Sequence, residues 1–269
     1  MSLVKGSLAA AGVLALAAGS AQAAPMLLED GNASTVIDPA SQAGQFNWVV
    51  DGIHHLSHQW FWYRIGQTPE QSIDTLPIVG AVTIDTNPFD DPRHDALNVL
   101  YRSAGLLEID ATFTLRGGTA GSNTSDVAEQ IVIRNLSGTA LSLTFFQYAD
   151  FDLNGTLNDD FVNITAPNRV LQGDGPIFVS ETIINPPSTL FEANFFANTV
   201  VALNDALVTN LNGTAALING DLTWAFQWDF LLGAGDSVII SKDKQIVPTP
   251  GAMALLGLGG LALARRRRA

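Results

Sequence analysis

AEQIVIR, NLSG, TALSLTFFQY: residues 128–148 divide into these three pieces, and their reading decides the fold. Ala128 to Arg134 alternates, the period-two pattern of a strand with one buried face. Asn135-Leu136-Ser137-Gly138 is turn chemistry. Thr139 to Tyr148 returns rich in β-branched and aromatic residues, so the stretch predicts a hairpin. Leu106–Leu115 (LLEIDATFTL) reads as another strand, stopped by Gly117-Gly118, and Ile177–Ile184 (IFVSETII) as one that ends at Asn185-Pro186-Pro187. Leu222–Leu231 (LTWAFQWDFL) and Ser237–Ser241 flank Gly233-Ala234-Gly235-Asp236 and predict a second hairpin. Thr199 to Leu211 departs from this. Leu203, Leu207 and Leu211 sit four apart with Gly213 beyond, which predicts one short helix. Many short strands at regular spacing predict an all-β antiparallel sandwich or jelly-roll. The body spans residues 24–246, with no repeat or linker inside it.

The chain has 269 residues and no cysteine, which excludes disulfides, thiolate metal sites and cysteine nucleophiles. Its formal net charge is −13. Lys5 and Arg265–Arg268 are five of the 13 basic residues, so the body carries eight against all 26 acidic ones. Such a surface repels phosphate backbones and excludes nucleic acid as a partner.

Both ends are apolar. Residues 1–23 have a positive n-region at Lys5 and an apolar run from Leu8 to Ala18. They end in Ala21-Gln22-Ala23, an A-x-A cleavage signal, and so predict a secretory signal peptide cut after Ala23. Residues 247–269 run Val247-Pro248-Thr249-Pro250, then the apolar, helix-compatible Gly251–Ala264, then Arg265, Arg266, Arg267 and Arg268. The apolar run reaches about 21 Å as a helix, short of a hydrocarbon core of about 30 Å. The arginine cluster belongs in the cytoplasm by the positive-inside rule, opposite the exported body.

This order of features resembles the PEP-CTERM sorting tail of Gram-negative bacteria, with Thr249 where the family usually has Glu. The resemblance implies recognition by exosortase, a membrane transpeptidase, near the Pro motif. It also implies passage through the inner membrane, then release to the cell surface or extracellular matrix. Members of that class are associated with exopolysaccharide and with biofilm or floc formation. A simple tail anchor is the alternative.

Among candidate sites, Asp150-Phe151-Asp152-Leu153-Asn154-Gly155-Thr156-Leu157-Asn158-Asp159-Asp160 places oxygen side chains at alternate positions around a glycine. That is the pattern of a calcium loop with ligands from Asp150, Asp152, Asn154, Thr156, Asn158 and Asp160. An Asp/Asn-rich surface turn fits the same residues. His54, His55 and His58 lack zinc-site spacing and read as ordinary polar histidines. Gln59-Trp60-Phe61-Trp62-Tyr63-Arg64 reads as a central strand buried on both faces, or else as a stacking platform for sugars; Trp224 and Trp228 pose the same choice. Asp90, Asp91, His94 and Asp95 cluster in a Pro-bounded loop. Asn-x-Ser/Thr sequons at Asn32, Asn123, Asn135, Asn154, Asn163 and Asn212 are expected in exposed turns.

Together these features predict an exported, exosortase-sorted, non-enzymatic matrix protein that meets extracellular polysaccharide. The rival is a secreted lectin or glycoside-active enzyme that uses the tryptophan-rich strands and the Asp90–Asp95 loop.

Overall fold

A computed structural model describes residues 24–165 and 167–249. Its strands in chain order begin with β1 (Met26–Asp30), β2 (Ala33–Asp38), β3 (Gly44–Val50), β4 (Ile53–Ile65), β5 (Gln71–Ser72) and β6 (Ile78–Ile84). Then come β7 (Ala96–Ser103), β8 (Leu107–Gly117), β9 (Ser125–Asn135), β10 (Leu141–Phe151), β11 (Asp160–Ile164) and β12 (Arg169–Asp174). The last are β13 (Ile177–Asn185), β14 (Leu190–Phe195), β15 (Ala216–Gly220), β16 (Leu222–Leu232) and β17 (Ser237–Pro248), with one helix, α1 (Asn198–Leu203), between β14 and β15.

They form two antiparallel sheets packed face to face, as expected of a sandwich. The first runs β1-β2-β3-β4-β10-β16-β14 with β5 on β4, and the second β15-β11-β12-β13-β17-β9-β8-β7-β6. The two predicted hairpins are not hairpins. β9 pairs with β8 and β17 in the second sheet, whereas β10 pairs with β4 and β16 in the first. β16 and β17 part in the same way. Each link is an arch between sheets. Five residues, 136–140, reach about 17 Å when extended, enough to cross the roughly 10 Å between packed sheets. Asn135 locks the two arches together. Its Nδ2 donates to the carbonyls of Thr139 at 2.7 Å and of Leu232 and Gly233 at 2.9 Å. Asn135 is wholly buried, so this sequon does not lie in an exposed turn.

The helix is shorter than the leucine spacing predicts. Asp205 Oδ1 accepts from the Leu207 N–H at 2.6 Å, a local turn that competes with the helical hydrogen bond and leaves Leu207 exposed. The last strand is longer than predicted. It runs past Ser241 to Pro248, with Phe178 opposite Val247 and Ile177 opposite Pro248.

The first sheet is buried on both faces at its centre. Gln59–Arg64 of β4, Leu143–Phe151 of β10 and Leu222–Trp228 of β16 are all buried. The outer face is covered by the segments around 66–77 and 198–215. Trp60 Nε1 donates to Asp74 Oδ1 at 3.1 Å, Trp62 Nε1 to Asn204 Oδ1 at 3.1 Å, and Arg64 pairs with Glu70 at 2.7 Å. The aromatic run is therefore a core strand, and Trp48, Trp60, Trp62, Trp224 and Trp228 are all at most 1 % exposed.

Between the sheets lies a group of charges that the sequence reading did not single out. Lys242 and Lys244 of β17 both pair with Glu129 of β9, and sit 3.7 and 3.6 Å from Glu181 of β13. Gln59 and Gln147 of the first sheet donate to Glu129 at 2.7 Å and to Glu181 at 2.8 Å. Burial by itself would raise the carboxyl pKa of Glu129, but the two lysines hold it below the usual range; burial pulls Lys242 down.

Candidate functional site

Gln147 reaches the opposite sheet, so its neighbours in the alternation, Tyr148 and Asp150, point to the outer face of the first sheet. Asp150 lies across from Thr223 on one side and His58 on the other. A register irregularity follows between Asp150 and Phe151. The Phe151 ring lies inward against Trp224, with centroids 6.0 Å apart and the planes 8° from parallel. Asp152 then opens a short 3₁₀ turn, Leu153–Gly155. Asp221 stands just before β16, one residue beyond the Asp160–Gly220 pairing. One carboxylate oxygen from each of Asp150, Asp152 and Asp221 falls within 4.8 Å of the other two.

Asp150 is 2 % exposed, and Asp152 and Asp221 are half-buried at its open side. Burial first, then the charges of Asp152, Asp221 and Asp160, push the Asp150 carboxyl up to about 8. Asp152 and Asp221 are raised chiefly by burial. The His58 and Tyr148 rings stand beside one another, centroids 5.4 Å apart. Burial, then Asp150 and to a lesser degree Asp221 and Asp152, raise the Tyr148 phenol above the usual tyrosine range.

The six residues of the predicted calcium loop have different surroundings; two of them bring a carboxylate oxygen to a common point. These are Asp150 and Asp152, joined by Asp221 from another element. Asn154 adopts a left-handed backbone, φ 58°, and its side-chain amide reaches Asp174 Oδ2 at 3.2 Å. Thr156 donates to the same Oδ2 at 2.6 Å, and Asn158 is exposed. Asp160, raised to about 7 by burial above all, accepts from Gln172 at 2.8 Å. Asp221 carries no motif of its own. Only the register of β10 on β16, which depends on the full sandwich, brings it to Asp150.

The other sequence candidates have structural partners. His55 Nδ1 accepts from the Asn154 N–H at 3.3 Å, and burial lowers its pKa to about 4. His58 meets the Gln42 carbonyl at 2.6 Å. In the Asp90–Asp95 loop, Asp91 pairs with Arg93 at 2.5 Å and Asp95 accepts from the Thr86 N–H at 2.7 Å. Of the sorting motif, Val247 and Pro248 close β17, and the Thr249 N–H donates to the Pro176 carbonyl at 2.7 Å. Ala21, Ala23, Pro250 and Arg265–Arg268 lie outside the described residues, as does the predicted apolar segment Gly251–Ala264. Among the described residues no helix is long and apolar enough to cross a membrane.

Searched by sequence, the chain matches no family model and no curated protein. Its fold is shared with solved structures. A bacterial glucoamylase complexed with acarbose aligns over 91 % of this chain with a TM-score of 0.58 at 7 % identity. This chain spans about a third of that enzyme, 35 % of its length. A Synechocystis protein aligns over 83 % of this chain and 95 % of its own, with a TM-score of 0.51 at 11 % identity. An aldose epimerase homologue from C. elegans aligns over 84 % and 99 %, with a TM-score of 0.48 at 9 % identity. The expectation of a non-enzymatic body is corrected by this likeness. The sandwich is one that occurs within a carbohydrate-active enzyme, so its architecture gives no ground for excluding catalysis.

Proposed function

We propose that this chain is an exported carbohydrate-active protein that engages a polysaccharide at the acidic end of its first sheet. The observation that carries this reading is the convergence of Asp150, Asp152 and Asp221 at the outer face of a sandwich shared with part of a glucoamylase. Half-exposed carboxylates accept hydrogen bonds from sugar hydroxyls, and charge-assisted bonds of this kind are about twice as strong as neutral ones. Three carboxylates that bring one oxygen each to a common point fit joint binding of one group.

Export follows from the signal peptide, and the tail supports exosortase sorting to the surface or matrix. Intact-mass measurement of exported protein tests that route: a start near Ala24 and loss of Arg265–Arg268 are expected, and surface-exposed protein that still carries the arginines contradicts it. For the glycan reading, the full chain is incubated with insoluble neutral and acidic polysaccharides. Retention and newly released reducing ends are both measured. Retention on at least one of them supports the reading; a chain that is neither retained nor releases reducing ends from any of them overturns it.

A further inference from the structure

We propose that Asp150, Asp152 and Asp221 are the protein ligands of a single calcium ion, with the Tyr148 hydroxyl beside them. Oxygens bound to one calcium sit about 2.3–2.6 Å from it, so two of them are never more than about 5 Å apart. The three carboxylate oxygens meet that condition, all within 4.8 Å of one another.

A further atom points to an ion. Asp150 Oδ1 is buried and makes no hydrogen bond. A buried polar atom without a partner costs about 1–3 kcal/mol, and this one stands among like charges. Among the described residues, no Lys or Arg pairs with any of the three acids. Glu129 and Glu70, by contrast, are buried acids that do pair with a Lys or an Arg. The ligand set is all oxygen and richly anionic, which selects a hard cation. Three carboxylates do not fill the six to eight positions that calcium takes. The positions on the side of Asp152 and Asp221 face outward, where water or a sugar hydroxyl completes the shell.

The inference stands independently of the glycan reading, because an ion bound here needs no sugar. The test uses the purified full chain, stripped with chelator and dialysed. Calcium chloride is titrated in by calorimetry, and melting is followed with calcium and with chelator. One ion per chain, a rise in melting temperature and weaker magnesium binding are expected. Asp221→Asn should weaken calcium binding at least tenfold and abolish the rise, while melting no earlier than the wild type in chelator, since it removes repulsion when no ion is bound. If Asp221→Asn does not fold, Asp152→Asn serves in its place. Absence of binding at millimolar calcium overturns the proposal. So does an Asp221→Asn or Asp152→Asn chain that binds as tightly as wild type.

Discussion

The side-chain amide of Asn135 donates across 2.9 Å to the backbone carbonyl of Leu232, and so ties the end of β9 to the end of β16 in the opposite sheet. The same amide holds Thr139 and Gly233, and Asn135 Oδ1 accepts from the Ser137 N–H at 2.8 Å. One buried side chain thus sets the geometry of both arches. Asn135→Ala leaves several carbonyls at the arches without a donor, at about 1–3 kcal/mol for each that water cannot reach. A loss of about 2–5 kcal/mol is expected, read from the urea midpoint with an unchanged slope. An unchanged midpoint would show that the arches hold without it.

The Lys242, Lys244, Glu129 and Glu181 group is neutral as a whole, and each member depends on the others. Lys244→Met strands carboxylate charge between the sheets. Breaking such a pair costs about 3–5 kcal/mol. Removing the cross-strand partner as well, in Lys244→Met with Glu181→Met, should restore much of the loss, because Glu181 and Lys244 stand opposite each other. Denaturant titration of the two variants checks this. A double variant no more stable than the single one contradicts the pairing.

Asp126 predicts a pH dependence. Burial, and then its neighbour Asp243, raises its pKa from 3.8 to about 7. The folded protein therefore keeps a proton that the unfolded chain gives up at lower pH. This contribution to stability is fully present below about pH 3.8 and is lost as pH rises through about 7. Asp126→Asn should leave the melting temperature at pH 4 nearly unchanged and raise it by a few degrees at pH 8, at about 2–4 °C per kcal/mol for a domain of this size. Equal shifts at both pH values would remove Asp126 from the account.

The strands were legible because their alternation is local. Ser125 to Asn135 buries every second residue, and the period shows in the bare sequence. What the alternation does not carry is the partner strand. β9 and β10 look like a hairpin because they are adjacent and joined by turn residues, yet the link is long enough to cross the sandwich. The buried charges were visible in outline. Glu129 falls in phase with Val127 and Ile131, Glu181 with Val179 and Ile183, and Lys242 and Lys244 with Ile240 and Ile246. A charge in the inward phase of three strands is a signal that they meet. Two of the three acids of the site were legible in the spacing of Asp150 and Asp152. Asp221, some 70 residues later, becomes a neighbour only through β10–β16 pairing.

We place the carbohydrate contact of this protein at the acidic end of the first sheet, as a proposal. Its most direct test is the affinity of the full chain for a polysaccharide that retains it, measured beside Asp152→Asn with Asp221→Asn in one chain, with circular dichroism confirming the β fold of both. The double variant should bind at least tenfold more weakly at unchanged fold. Equal affinity of the folded double variant and the wild type would place the carbohydrate elsewhere on the molecule and contradict the assignment.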